Sequence, residues 1–74
     1  MMNKALFEEQ WKMFRKQSTG WWSLMADHDL LKVDKAEVKF DKFTTLLQVK
    51  YGFTRQQARE EIARVWANFE ATGK

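Results

Sequence analysis

The sequence predicts an all-α protein, a small four-helix array forming one domain over residues 1–74, with a short second helix. Three observations carry this. Apolar residues recur at helical spacing in three long segments, and nowhere do they alternate over a sustained run as a strand would require. Proline is absent, and glycine occurs only at Gly20, Gly52 and Gly73, where it punctuates the chain. Two segments open on sequences with capping-box spacing, Asp34-Lys35-Ala36-Glu37 and Thr54-Arg55-Gln56-Gln57.

The first helix is expected from Asn3 to about Ser18. Phe7, Trp11, Phe14 and Ser18 repeat at i, i+4, i+7, i+11 and so share one face, with Leu6 and Met13 beside them. The Asn3 side chain can accept a free N–H of the first turn, and Gly20 suits the left-handed residue after a helix end. A short helix follows through Leu30 and Leu31. Asp27 is its expected cap, and Asp27 and Asp29 lie near the positive end of its dipole. Asp34 is expected to cap the third helix, with Val33 and Val38 stapled across the cap. Its stripe is Ala36, Phe40, Phe43, Leu47 and Tyr51, and Gly52 ends it. Thr54 caps the last helix, with Phe53 and Ala58 at staple spacing. Its inward face is Ala58, Ile62, Val65, Trp66 and Phe69, and Gly73 lies just past its end. Gly52 and the Thr54 cap break the backbone between the two long helices, which predicts a corner or hairpin there.

Composition bounds the function. A 74-residue chain buries only about 60% of the surface its unfolded form exposes, so the aromatic residues must supply most of the core. With no cysteine there is neither a disulfide nor a thiolate metal site. No run of about 18 apolar residues exists to span a membrane. Lys4, Glu8 and Glu9 interrupt any signal-peptide core, so a cytoplasmic setting is expected. The helices mix charge signs on their polar faces, which argues against a membrane-surface role.

No catalytic, cofactor or metal-ligating set is predicted. Asp27-His28-Asp29 brings three potential ligands together, but adjacent helical residues point apart and no second His or Cys exists, so a solvated polar turn is the expectation. His28 is the single histidine, and Glu60 and Glu61 are neighbours that face different ways, so general acid–base chemistry has no convergent pair. The net charge of +3 admits weak, sequence-independent nucleic-acid binding as an alternative function. Its candidate residues are Lys35, Lys39 and Lys42, spaced i, i+4, i+7, with Arg55 and Arg59 at the start of the last helix, where free N–H groups also favour anions. Glu37, Asp41, Glu60 and Glu61 dilute that surface. Two adjacent tryptophans on one turn cannot easily both point inward. Trp21 is therefore expected at the rim, as a candidate partner surface, and Trp22 in the core.

Trp11, then Trp22 after ten intervening residues, then Asp27-His28-Asp29-Leu30, then Tyr51-Gly52-Phe53-Thr54 form an ordered set of anchors from about Trp11 to Phe69. This order resembles the CsbD-like family of small bacterial stress-response proteins. The chain departs from the family pattern at Lys16, Ser23, Lys35 and Lys42, where glycine is usual, and at Ala26, where Thr is usual. The stretch from Leu30 to Tyr51 is also a few residues longer. The resemblance implies two helical hairpins packed roughly crosswise, like the sterile-alpha-motif fold, and Trp22 as the buried anchor. It implies a stress-associated setting without an assigned activity. An unidentified protein partner, or a protective binding role, is the expected mode of action.

Overall fold

A computed structural model describes residues 3–72. Its helices are α1 (Lys4–Trp21), α2 (Asp27–Asp34), α3 (Lys39–Tyr51) and α4 (Arg55–Thr72), with no strand among the described residues. Gly73, expected just past the last helix, lies outside them. The third helix is the hub and packs against each of the other three. One continuous core gathers the three predicted stripes. Phe7, Trp11, Phe14, Phe40, Phe43, Leu47, Ile62, Trp66 and Phe69 are all buried in it, together with Met25, Leu30 and Val33 from the short α2 region. Phe7 and Phe14 of α1 each place a ring within 5.8 Å and 5.3 Å of Trp66 on α4, so aromatic contacts tie the first and last helices across the domain.

The helix starts show which local signals hold. Asn3 caps α1, its side-chain oxygen accepting from the Leu6 N–H at 2.9 Å. Thr54 and Gln57 form a complete reciprocal box at the head of α4: the Gln57 N–H donates to Thr54 Oγ1 at 3.1 Å and the Thr54 N–H to Gln57 Oε1 at 2.9 Å. Gly52 ends α3 with φ of 72°, the left-handed conformation for which an L side chain would be strained.

Several expectations are corrected. Gly20 lies inside α1, which runs on to Trp21 and closes with the Trp22 N–H on the Ser18 carbonyl. The extra turn is held by the Trp21 ring, which sits 5.2 Å from Phe14 and 6.2 Å from Phe69. Met13, expected to widen the buried stripe, is exposed. Ala26 rather than Asp27 occupies the cap position of α2. The cap works from inside the helix, because Asp29 reaches back to accept the Ala26 N–H at 3.1 Å.

The largest departure concerns Asp34. It is the last residue of α2 and caps nothing, because α1 captures its carboxylate: Trp11 Nε1 donates to it at 2.6 Å and Arg15 Nε at 3.0 Å. The third helix therefore starts only at Lys39. Ala36 falls outside it, and Val38 is exposed rather than stapled to the buried Val33. Its free N–H groups are met instead by Glu8 of α1, whose carboxylate accepts from Lys39 at 3.1 Å and Phe40 at 3.0 Å.

Candidate functional site

The basic residues singled out in the sequence do not share one helical face. Lys35 follows α2 as its C-cap and is exposed, while Lys39 and Lys42 sit half-buried in the first turn of α3. Arg59 is exposed on α4. Arg55 is engaged within the fold: its guanidinium donates to Gln48 at 2.9 Å and Thr45 at 3.2 Å, and lies 3.9 Å from Asp41. This ties the start of α4 to α3 and leaves less of the guanidinium for an outside phosphate.

A different cationic group gathers around a recess between α1 and the α2–α3 connection. Trp11, Lys12, Arg15, Lys16, Asp34 and Lys39 line a cavity of about 400 Å³. The local sequence explains it. Lys12, Arg15 and Lys16 lie at i, i+3, i+4 and so project from one side of α1. The Asp34 carboxylate fastens the end of α2 to Trp11 and Arg15, and the Glu8 cap brings Lys39 against the same helix. Of these cations only Lys39 belongs to the basic row that stands out in the sequence; Lys12, Arg15 and Lys16 do not. The signal for the latter three was the i, i+3, i+4 spacing itself.

At Asp27-His28-Asp29 the solvated-turn expectation holds for Asp27 and His28, which are exposed, and fails for Asp29, which is buried. Lys50 Nζ on α3 lies 3.1 Å from the Asp29 carboxylate and His28 Nε2 lies 3.5 Å away. Burial would raise the Asp29 pKa, but the Ala26 N–H, Lys50 and His28 together outweigh it and hold the carboxyl below the ordinary aspartate value. The residue is thus a structural ion-pair partner joining α2 to α3. Among the described residues no group of three or more His, Cys, Asp or Glu could hold a metal ion.

The buried hydroxyls serve the backbone. Ser18 Oγ donates to the Arg15 carbonyl at 2.9 Å and Thr44 Oγ1 to the Phe40 carbonyl at 2.7 Å, so neither is set against a base. Trp22 is buried and Trp21 half-buried at the rim, in the order expected. Among the described residues no helix is long and apolar enough to cross a membrane.

These features define a class: a small all-helical domain with an aromatic core, whose buried polar residues Ser18, Asp29 and Thr44 serve backbone bonds, a cap and an interhelical tie. Comparison with known proteins places it further. The chain is 31% identical over 62 residues to the UPF0337 protein YjbJ of Salmonella typhimurium, covering 84% of each chain. It is 30% identical over 61 residues to the UPF0337 protein ECA0631 of Pectobacterium atrosepticum, covering 82% of this chain and 84% of that one. The protein belongs to the UPF0337 family, which is the CsbD-like family. No family model matches the chain. No solved structure matches it either, so the likeness to the sterile-alpha-motif fold rests on the resemblance alone.

Proposed function

We propose that the protein is a cytoplasmic, stress-associated member of its family that acts without catalysis, by binding a protein partner. The observation that carries this reading is the rim position of Trp21. Its indole is left partly open to solvent although it packs on Phe14 and Phe69 of the core. Tryptophan in such a place supplies a large apolar area with a polar tip, the combination enriched at protein interfaces. Leu24, Leu31 and Val49 add exposed apolar side chains elsewhere, at 52%, 51% and 73% exposure. The stress setting follows from the family resemblance and the cytoplasmic location from the interrupted signal-peptide core; both are part of the proposal.

The test is affinity capture from stressed cells with the wild-type chain and a Trp21→Ala variant, before and after nuclease treatment. The reading expects a defined protein set that survives nuclease and is lost with Trp21→Ala. A set that disappears with nuclease supports the second reading, sequence-independent nucleic-acid binding. The observation favouring that alternative is that Lys35, Lys39, Lys42 and Arg59 remain in no ion pair among the described residues.

A further inference from the structure

We propose that the recess lined by Trp11, Lys12, Arg15, Lys16, Asp34 and Lys39 binds a small phosphomonoester carried on an apolar or aromatic body. This goes beyond the protein-partner reading and stands independently of it. The recess has the size of a small-molecule site: about 400 Å³, within the roughly 300–1,000 Å³ typical of such pockets. Its charge selects the ligand. Four cations face one carboxylate across the lining. That carboxylate, Asp34, is already spent on the Trp11 indole and on Arg15 Nε. Lys12 and Lys16 take part in no ion pair among the described residues, and Lys39 Nζ has only a long contact to the Ala36 carbonyl, at 3.4 Å. The other acid close by, Glu8, has its oxygens on the Lys39 and Phe40 N–H groups. Glu9 on α1 and Glu37 in the α2–α3 connection are both exposed and lie outside the lining.

A phosphomonoester answers this arrangement better than a carboxylate does. It brings a charge of about −1.5 to −2 and three strong acceptor oxygens to several cations at once. The apolar body answers the walls, whose surface is mainly apolar although four of the six lining residues are cations, as expected where lysine and arginine lay their aliphatic stems along a recess and keep their charged heads in water. A fully hydrated inorganic anion would gain nothing from those walls. The site is also held in place in advance. The Asp34 carboxylate pins Arg15 through both of its oxygens, so the guanidinium is oriented before a ligand arrives, which lowers the entropic cost of binding.

The Trp11 indole N–H donates to Asp34, both residues line the recess, and the signal is a reporter distinct from the other three tryptophans. The experiment titrates the full chain, labelled with nitrogen-15, with phenyl phosphate, and in parallel with phenol and with inorganic phosphate. The expected result is a saturable shift of the Trp11 indole signal with phenyl phosphate. Binding should be at least about tenfold weaker for inorganic phosphate and for a Lys12→Glu or Lys16→Glu variant. Both lysines are exposed, and unchanged signals from Trp22 and Trp66 report that the variants fold. Absence of a saturable shift overturns the proposal. So does equal binding of inorganic phosphate, which would show a loose cationic surface, and so does equal binding by both lysine variants.

Discussion

Glu8, on the second turn of α1, accepts the backbone N–H of Lys39 at 3.1 Å and so supplies the cap that the head of α3 lacks in its own sequence. The same carboxylate takes the Phe40 N–H at 3.0 Å. It places a negative charge at the positive end of the helix dipole. It is also a tertiary contact, fixing α1 against α3 across 31 residues of sequence.

Removing that carboxylate should therefore cost more than a surface charge does. Glu8→Ala is expected to destabilise the domain by about 1–2 kcal/mol, the upper part of the range for lost caps, because two N–H groups lose their acceptor. Glu8→Gln keeps one acceptor oxygen and should lose less. Urea unfolding of the two variants checks this. Equal stability of wild type and Glu8→Ala would mean that solvent serves the helix end as well as Glu8 does.

The failed cap at Asp34 and the unforeseen one at Glu8 mark where the sequence stops being legible. The stripes Phe7-Trp11-Phe14, Phe40-Phe43-Leu47 and Ile62-Trp66-Phe69 were readable because burial follows helical periodicity. The Thr54-Gln57 box was readable because both partners lie within one turn. Asp34 has the right residue type at the right spacing, but Trp11 and Arg15 compete for its oxygens from another helix, and no local rule sees them. Asp29 looks solvated in the sequence for the same reason: its partner Lys50 is distant along the chain. Half of the recess is invisible in the sequence because Lys12 and Lys16 look like an ordinary solvated helix face until Lys39 is folded against them.

The pair of Asp29 and Lys50 should make stability depend on pH on the acid side. The folded-state pKa of Asp29 is lowered relative to the unfolded chain. Its contribution is thus fully present above the unfolded value, about 3.9, and is lost as pH falls through the lower folded value. Asp29→Asn should cost about 1.5–3 kcal/mol at neutral pH, the range for a hydrogen bond to a charged group, and should flatten the loss of stability below about pH 4. Thermal melts of both proteins between neutral and acid pH measure it. An Asp29→Asn variant with an unchanged acid limb would place that limb on another carboxylate.

Trp66 carries a conflict within the core. The ring is buried against Phe7, Phe14 and Phe69, yet its Nε1–H has no hydrogen-bond partner among the described residues. An unpaired buried donor costs about 1–3 kcal/mol. Trp66→Ala should still destabilise by about 3–5 kcal/mol, because the cavity dominates. Trp66→Phe removes the stranded donor while keeping an aromatic ring, so the relief opposes the lost packing and the net cost should fall far below that of the alanine variant. Denaturant midpoints of the two variants distinguish the terms. A phenylalanine variant as unstable as the alanine one would show that the N–H is satisfied in solution.

Lys35, Lys39 and Lys42 lie at and before the head of α3, Arg59 lies on α4, and Arg55 is bonded to Gln48 and Thr45, which leads to a prediction for nucleic acid. Each phosphate neutralised on duplex DNA contributes about −0.9 to the slope of log affinity against log salt. Few of these side chains can reach one backbone together, so the slope should be shallow and binding weak at about 0.15 M salt, where the Debye length is near 8 Å. Asp41, which lies between Lys4 and Arg55, lowers the positive field further. Sequence preference should be small, because lysine and arginine on phosphates position a protein without reading bases. Fluorescence anisotropy with labelled duplex and single-stranded DNA, at low and moderate salt, measures both slope and affinity. Tight binding at moderate salt that Lys39→Glu and Arg59→Glu both weaken would raise the nucleic-acid reading above the protein-partner reading. Binding weakened by Lys16→Glu but not by Arg59→Glu would place the contact at the α1 recess instead.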